Sequence, residues 1–504
     1  MNNLQLQTKI IIGSLSGLLL STAFSNNNLW FLMPISFAIL WGIIHKRLIS
    51  DYLVITFSFC LVFWATHITW IIAIGLDAYI LLTLLMSLIY GLTGLFMYWS
   101  RNIIFPFFWY AMIFIGIETF TQFFPFGGFP WAKIAYGSVD APWSNLAFIG
   151  STQLVAFGIL FVSILLIPMM GFIVQKSVFP TLVFLISIAA ILLFYQSLGN
   201  KKEVPISETT VLLVQGSVPR SGLFFNEQKY AVLENHINET KKALATKELN
   251  FDAILWPENS IDVDPFRDKK SKEMLEKLLK LSEKPIFAGA VLDSGSKLSN
   301  SVLLINNDLD KNMSYTKVHL VPFGEYIPFR NLIEGRIGRL NLISKDFKRG
   351  VDFNNLKFND VIFSPIICFE VAWNDVLSNQ ILNGAQFVSV HTNNATYAFT
   401  NQIKQQFEIS RFRAKESGRE VVISATTGIS AHISREGKVF WKSDEFMPNH
   451  HVARIKLYKD ITSAVKYNTW INISIFFVLF ILIIDRKSTR LNSSHITISY
   501  AVFC

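Results

Sequence analysis

Ser364-Pro365-Ile366-Ile367-Cys368-Phe369-Glu370 is an apolar run that ends by presenting a cysteine and then a carboxylate. The β-branched and aromatic make-up of Val361 to Ile367 predicts a buried strand, and Trp373 to Leu382 beyond it reads as a helix. A thiol at a strand end is well placed to act as a nucleophile. Read alone, though, a lone cysteine is more commonly a small buried hydrophobe.

Outward from this stretch, short β-rich runs alternate with polar helical ones. Val211–Val214, Ala253–Leu255, Ile286–Val291, Val302–Ile305, Phe387–Val390, Val421–Ala425 and Val452–Ile455 read as further strands. Gln228–Thr246, Lys269–Leu281 and Thr400–Ser417 read as helices. Continuous apolar strands separated by helices predict sheets covered by helices, a layered α/β domain of roughly 250 residues. Lys201 to Thr210 is the expected linker into it.

Three polar residues stand near the ends of these runs. Glu258 follows Ala253–Leu255 in Trp256-Pro257-Glu258-Asn259-Ser260, and Lys317 and Glu325 lie in the stretch Tyr315 to Tyr326. Cys368 is the third. Glu258 alone could be a local cap, and Lys317 a solvated charge. Together they make chemical sense. A cysteine attacks a carbonyl as the thiolate, so it needs a base to take its proton and a positive charge to stabilise the anion. Glu258 is the candidate base, with an apolar setting raising its pKa. Lys317 is expected to lower the thiol pKa and then, with the backbone N–H of Phe369, to hold an oxyanion. Glu325 and Glu370 are supporting candidates. The histidines show no metal-ligand spacing, and none of His319, His391, His450 and His451 is expected to bind a metal.

The amino-terminal part has a different character. Of 504 residues, 51% are hydrophobic and only 16% charged, well below the quarter usual for soluble proteins. Apolar spans run from about Ile10 to Phe24, Leu29 to Ile44, Leu53 to Gly75, Tyr79 to Trp99, Ile103 to Phe120, Ala147 to Val174 and Val178 to Tyr195, with another from Trp470 to Ile484. The longer ones match the ~20 residues needed to cross a bilayer. The expectation is a multi-pass α-helical membrane domain over residues 1–200, an extracytoplasmic domain over 201–465 and a last helix over 466–484. The first span reads as an uncleaved helix, because Lys9, His45-Lys46-Arg47, Arg101 and Lys176 then share the cytoplasmic side. The net charge of +9 is spread out, with no basic stripe or nucleic-acid motif, so anionic lipid rather than nucleic acid is the expected attraction. Between the fifth and sixth spans, Phe123 to Trp131 is aromatic and glycine-punctuated. It reads either as a lipid-access loop or as an interfacial anchor. Glu118 before it is expected to reach the headgroups.

Asp485 to Cys504 breaks off abruptly and resembles the translation of a sequencing adapter, an expected artefact that leaves the true carboxyl terminus beyond Ile484 open. With Cys504 set aside and Cys60 in an apolar span, Cys368 is the one thiol of the α/β region. It has no intramolecular disulfide partner there.

The motifs around Glu258, Lys317 and Cys368, in that order, resemble the Glu-Lys-Cys triad of the nitrilase superfamily. With seven spans before, one after, and Gly128-Phe129-Pro130-Trp131 between, the chain to about Ile484 resembles the apolipoprotein N-acyltransferases of Gram-negative bacteria. The resemblance implies a multi-pass inner-membrane enzyme with a periplasmic αββα nitrilase-like sandwich. It implies transfer of an acyl chain from a phospholipid, typically phosphatidylethanolamine, to the terminal amine of a diacylated apolipoprotein. In that pattern Glu258 is the general base, Cys368 carries a thioester and Lys317 stabilises the oxyanion. Glu325, Phe369 and Glu370 match further family positions. No cofactor or metal is expected, and a monomer is. Phe225 stands where the family has a tryptophan, and with Trp131 and Tyr326 it is a candidate for contact with substrate. Asn393-Asn394-Ala395-Thr396-Tyr397 and Thr427-Gly428-Ile429-Ser430 also depart from the family pattern. The alternative is a membrane-anchored nitrilase-type amidase or hydrolase that uses water as acceptor, with a transporter or scaffold carrying an inactive domain further off.

Overall fold

The computed structural model describes residues 5–25, 27–199, 203–219, 229–246, 250–306, 313–333, 335 and 344–482. Phe225 and the adapter-like segment Asp485 to Cys504 lie outside the described residues.

Seven helices come first: α1 (Leu6–Ser25), α2 (Leu32–Ile44), α3 (Ile49–His67), α4 (Leu76–Ser100), α5 (Pro106–Phe120), α6 (Ala147–Val174) and α7 (Val178–Leu198). Five of them are long and apolar enough to cross a membrane, whereas α2, α5 and the later Asn468–Leu482 are shorter apolar helices. The outward faces carry Leu88, Ile186 and Leu193, each well exposed. Such a surface belongs in lipid, and the chain is a membrane protein. Lipid gives helices little hydrophobic reason to associate, so close approach matters. A Cβ on Gly17 would lie 2.2 Å from the Phe59 carbonyl oxygen, so only glycine lets α1 lie this close to α3. Lys9, expected at the cytoplasmic side, is buried in an ion pair with Asp51 at 3.1 Å.

The remaining elements build two six-stranded sheets. The first runs β12-β1-β2-β3-β4-β5 and the second β11-β10-β9-β8-β7-β6. The strands are β1 (Ser207–Gln215), β2 (Ala253–Leu255), β3 (Ile286–Asp293), β4 (Leu298–Ile305), β5 (Ser314–Thr316), β6 (Leu356–Phe358), β7 (Val361–Ile367), β8 (Phe387–Thr392), β9 (Val421–Ala425), β10 (Ala431–Ile433), β11 (Val439–Lys442) and β12 (Asn449–Leu457). Strand pairs β1–β2, β2–β3, β7–β8 and β8–β9 are parallel, and the outer pairs antiparallel. The expected linker is shorter than the sequence suggests, because Ser207 to Thr210 already pair with β12.

Alternation along the strands sorts side chains between two layers. Val211, Leu213, Ala253 and Leu255 face the second sheet and join Phe363 and Phe387 in one core. Leu212, Val214 and Ile254 face the other way, onto Leu275, Leu278 and Leu279 of α9 (Lys269–Ser282), beside α8 (Ala231–Ala245). On the second sheet α11 (Asn374–Leu382) packs on β7 and α12 (Gln402–Ser417) on β9. This is a helix–sheet–sheet–helix sandwich. The short α10 (Arg330–Ile333) and α13 (Ser463–Lys466) lie outside these layers, and α14 (Asn468–Leu482) is the last helix among the described residues.

The connection between α5 and α6 is exposed at Phe123, Phe124 and Phe126 and buried beyond them. Three short 3₁₀ turns, Pro130–Ala132, Tyr136–Ser138 and Pro142–Leu146, fill it, and Trp131, Tyr136 and Trp143 are buried. Phe126, at the tip, stays exposed. Glu118 does not reach the headgroups. It is 2% exposed, and its Oε1 accepts the Ile134 N–H at 2.7 Å, because irregular backbone inside protein must find internal partners.

The two parts share a polar seam. Arg413 on α12 donates to the carbonyls of Val371 and Ala372 and to the Tyr136 hydroxyl, each at 2.7–2.8 Å, and pairs with Glu416. Glu416 also accepts from Ser151, where α6 is kinked by non-helical backbone at Gly150 and Ser151. The seam orients the second sheet over the bundle.

Candidate active site

Glu258, Lys317, Cys368 and Asn393 all stand just beyond strand ends, after β2, β5, β7 and β8. In sheets with parallel centres, the carboxyl edge is where side chains from separate strands can converge. The structure brings the three sequence-derived candidates together there.

Glu258 is held in a tight turn. Asn259 has φ +55°, and a Cβ on Gly289 of β3 would come within 2.5 Å of the Glu258 Cα, so glycine is needed at that position. The Glu258 carboxylate accepts from Lys317 at 3.2 Å and Asn300 at 2.7 Å on one oxygen, and from the Asn393 N–H at 2.9 Å on the other. Glu325 repeats the pattern. Its Oε1 accepts from Lys317 at 3.0 Å and Asn300 at 2.9 Å, and its Oε2 from the Val321 N–H at 2.8 Å. Lys317, 1% exposed, thus sits between two carboxylates. Burial works against its charge, but Glu258 and Glu325 outweigh it and hold the ammonium well above the usual lysine range.

Cys368 is the first residue after β7 and has φ +53°, a left-handed conformation that costs a side-chain-bearing residue ~1–2 kcal/mol. The bend turns the thiol out of the strand direction. Burial pushes its pKa up to about 12, with Glu258 acting in the same direction, while Lys317 and a hydrogen bond with the Thr392 side chain oppose the rise. The expected lowering by Lys317 therefore exists but loses. Desolvation and the paired carboxylates dominate, and at neutral pH the group is a thiol that needs a base.

Glu370 stabilises the bend. Its carboxylate accepts the Tyr315 hydroxyl at 2.9 and 3.0 Å, the Ile367 N–H at 3.0 Å, the His319 N–H at 3.0 Å and the Val318 N–H. One buried carboxylate thereby fastens the residue before Cys368 to the residues after Lys317. His391 also bridges the sheets, with Nδ1 2.7 Å from the Trp256 carbonyl oxygen, and burial lowers its pKa to about 4. It is neutral, and Nδ1–H donates to that carbonyl. No group of His, Cys, Asp and Glu arranged to hold a metal ion occurs among the described residues.

Phe369 leads into an aromatic wall. Its ring stacks on Trp131 with centroids 5.6 Å apart and meets Trp373 edge-on at 4.7 Å. Trp70 packs on Trp131 at 5.5 Å and on Tyr397 at 5.1 Å. Both Trp70 and Trp131 donate their indole N–H to Gln405, at 2.9 and 2.7 Å. Trp131 therefore stands behind Phe369, buried, and Tyr326 donates its hydroxyl to the Phe126 carbonyl at 3.0 Å.

Sequence reasoning missed Asn300, Thr392 and Tyr315. Asn300 sits in the polar first half of β4, between Ser299 and Ser301, where nothing local marks it out, and is 2% exposed with its amide N–H groups shared between the two glutamates. Asn393, noted only as a departure, supplies a backbone N–H that any residue but proline could supply.

Residues 16–165 match the family model described as apolipoprotein N-acyltransferase N-terminal domain, and residues 213–459 match the carbon-nitrogen hydrolase model. An apolipoprotein N-acyltransferase of Wigglesworthia glossinidia brevipalpis is 27% identical over 68% of this chain and 67% of its own length. One from Photobacterium profundum is 24% identical over 92% of both chains. Among solved structures, Saccharomyces cerevisiae Nit3 of the nitrilase superfamily is 14% identical, covers 51% of this chain and 93% of its own, and has a TM-score of 0.38.

Proposed function

Since the chain belongs to the apolipoprotein N-acyltransferases, we propose that it carries a fatty acyl group from a phospholipid, as a thioester on Cys368, to the terminal amine of a diacylated lipoprotein. The buried Lys317 clasped between Glu258 and Glu325, beside a thiol whose pKa is raised to about 12, carries this reading. A thiol so protonated calls for a base at hand.

In the first half-reaction Glu258 takes the Cys368 proton, and the sulfur attacks the ester carbonyl. The oxyanion forms beside the Lys317 ammonium and the Phe369 N–H, then collapses. The C–O bond breaks, and the leaving lysophospholipid oxygen takes the proton from Glu258. In the second, the lipoprotein amine attacks the thioester, the C–S bond breaks, and the proton lost by nitrogen returns to sulfur by way of Glu258. Glu325 and Glu370 position Lys317 and Cys368. The donor leaves before the acceptor enters, a ping-pong order.

The first seven helices, 1–200, and the helix in 466–484 form the membrane platform of this proposal, with the sandwich in 201–465 on the periplasmic side of the inner membrane. The alternating charges of the sequence support that orientation. Phosphatidylethanolamine is the proposed donor and a monomer the working unit. A site at the bilayer surface spares both lipids extraction, which costs ~0.8 kcal/mol per exposed CH₂.

The test is incubation of the purified protein with phospholipid, mass analysis of the Cys368 peptide, and a chase with a diacylated lipopeptide. A thioester adduct that moves to the peptide amine is expected. Free fatty acid with no acylated peptide would replace transfer by hydrolysis.

A further inference from the structure

A cavity of about 450 Å³ opens beside the triad, between the Phe126–Gly128 tip of the α5–α6 connection and the residues that follow Lys317. Its wall includes Val318, Tyr326 and Trp373, and its rim carries Lys297, Lys348 and Arg349. All three basic side chains are exposed. The acid on the wall, Asp346, is taken up by Arg330, with Nη2 to Oδ1 at 2.5 Å, so the rim presents net positive charge.

The segment bearing two of these charges is anchored on Lys317 of the triad and on its neighbour Glu325. The Phe347 N–H donates to the Glu325 carbonyl at 2.8 Å, and the Gly350 N–H donates to the Lys317 carbonyl at 2.8 Å. Between these anchors the Lys348 N–H donates to the Leu298 carbonyl at 2.6 Å. A Cβ on Gly350 would lie 2.2 Å from the Thr316 oxygen, so only glycine allows this approach. Lys348 and Arg349 are therefore held at a set distance from the reacting groups by backbone bonds.

We propose that this cavity is the subsite for the phosphodiester of the acyl donor, with Lys348, Arg349 and Lys297 neutralising its charge while the glycerol ester lies at Cys368. The inference rests on the acyl-transfer reading. In a glycerophospholipid, phosphate and ester share one glycerol, so an ester at the thiol brings the phosphate into reach of a neighbouring basic rim. Guanidinium and ammonium groups suit phosphate by charge-assisted hydrogen bonds. The aromatic wall accepts the apolar side of the headgroup.

The experiment compares the full-length protein with K348Q/R349Q and with the charge-keeping K348R/R349K. Thioester formation is measured with a phosphatidyl donor and with a neutral, phosphate-free acyl ester in the same detergent. K348Q/R349Q is expected to raise the KM for the phosphatidyl donor ~10-fold relative to that for the neutral ester, and K348R/R349K to restore the ratio. Soluble glycerophosphoethanolamine should inhibit the native protein more strongly than inorganic phosphate does, and lose that advantage against K348Q/R349Q. An unchanged ratio of KM values, or equal inhibition by inorganic phosphate, overturns the lipid-phosphate subsite. Absence of any thioester from phospholipid in the native protein overturns the acyl-transfer reading instead.

Discussion

The two sheets contribute unlike halves to one site. The first supplies charge: Glu258, Asn300, Lys317 and Glu325 are cross-bonded into a closed set before any substrate arrives. The second supplies Cys368, the proposed nucleophile, held by backbone geometry at φ +53° and by the grip of Glu370 rather than by an ion pair of its own. The charged half is at once structure and chemistry, so altering it disturbs both. The thiol half separates them, since the sulfur itself supports little of the fold.

Removing the Cys368 thiol draws this contrast most sharply. Cys368→Ala should abolish thioester formation and acyl transfer, on the order of 10⁴-fold or more, yet leave Tm nearly unmoved. A thioester adduct surviving in that variant would sink the assignment. Glu258→Gln should slow acylation by about 10²–10⁴-fold, as expected when a general base is lost, while donor binding measured by equilibrium dialysis persists. Unimpaired single-turnover acylation would move the base elsewhere. Lys317→Met should cost about 10²–10³-fold in acylation and, unlike Cys368→Ala, also destabilise the fold by roughly 3–5 kcal/mol, because two buried carboxylates lose their shared cation. Iodoacetamide labelling of Cys368 should slow as well, since Lys317 is the cation that moderates the thiol pKa.

A further effect concerns pH and leaves the chemistry aside. His236 on the outer side of the first sheet and His391 on the second are buried and neutral, each with a pKa lowered to about 4 by desolvation. In the unfolded chain they take up protons near pH 6.5. Their contribution to stability is thus complete above pH 6.5 and is lost as pH falls towards 4, by at most ~1.4 kcal/mol per pH unit for each. Thermal melts between pH 7 and 4.5 should show the decline, and His391→Asn should make it shallower.

Much of this was legible from residue order because strands that carry the site are dense apolar runs. Val361–Ile367, Val421–Ala425 and Ala253–Leu255 begin and end where the residue pattern says. Ser314–Thr316, Leu356–Phe358, Ala431–Ile433 and Val439–Lys442 were not legible, since strands of three or four residues at or next to a sheet edge owe their form to a neighbouring ladder rather than to their own composition. In the site, the charged residues were visible because a buried base, cation and thiol complement one another chemically. Asn300 and the Asn393 N–H were hidden, because a hydrogen bond to a remote strand leaves no trace in local spacing. The thiol pKa was misjudged for a related reason: charge is countable in a sequence, whereas desolvation depends on the enclosing fold.

Arg413 bears on whether the sandwich is a detachable module. Its guanidinium lies wholly inside the protein, spending donors on the Val371 and Ala372 carbonyls and on Tyr136 of the helical part. Phe369 leans on Trp131 from the same side. Excised as residues 203–466, the sandwich would present to water an aromatic face and an Arg413 that keeps Val371, Ala372 and Glu416 but has lost Tyr136. Soluble expression of that fragment should yield aggregate rather than a working hydrolase, so dissection of this protein calls for substitutions within the intact chain.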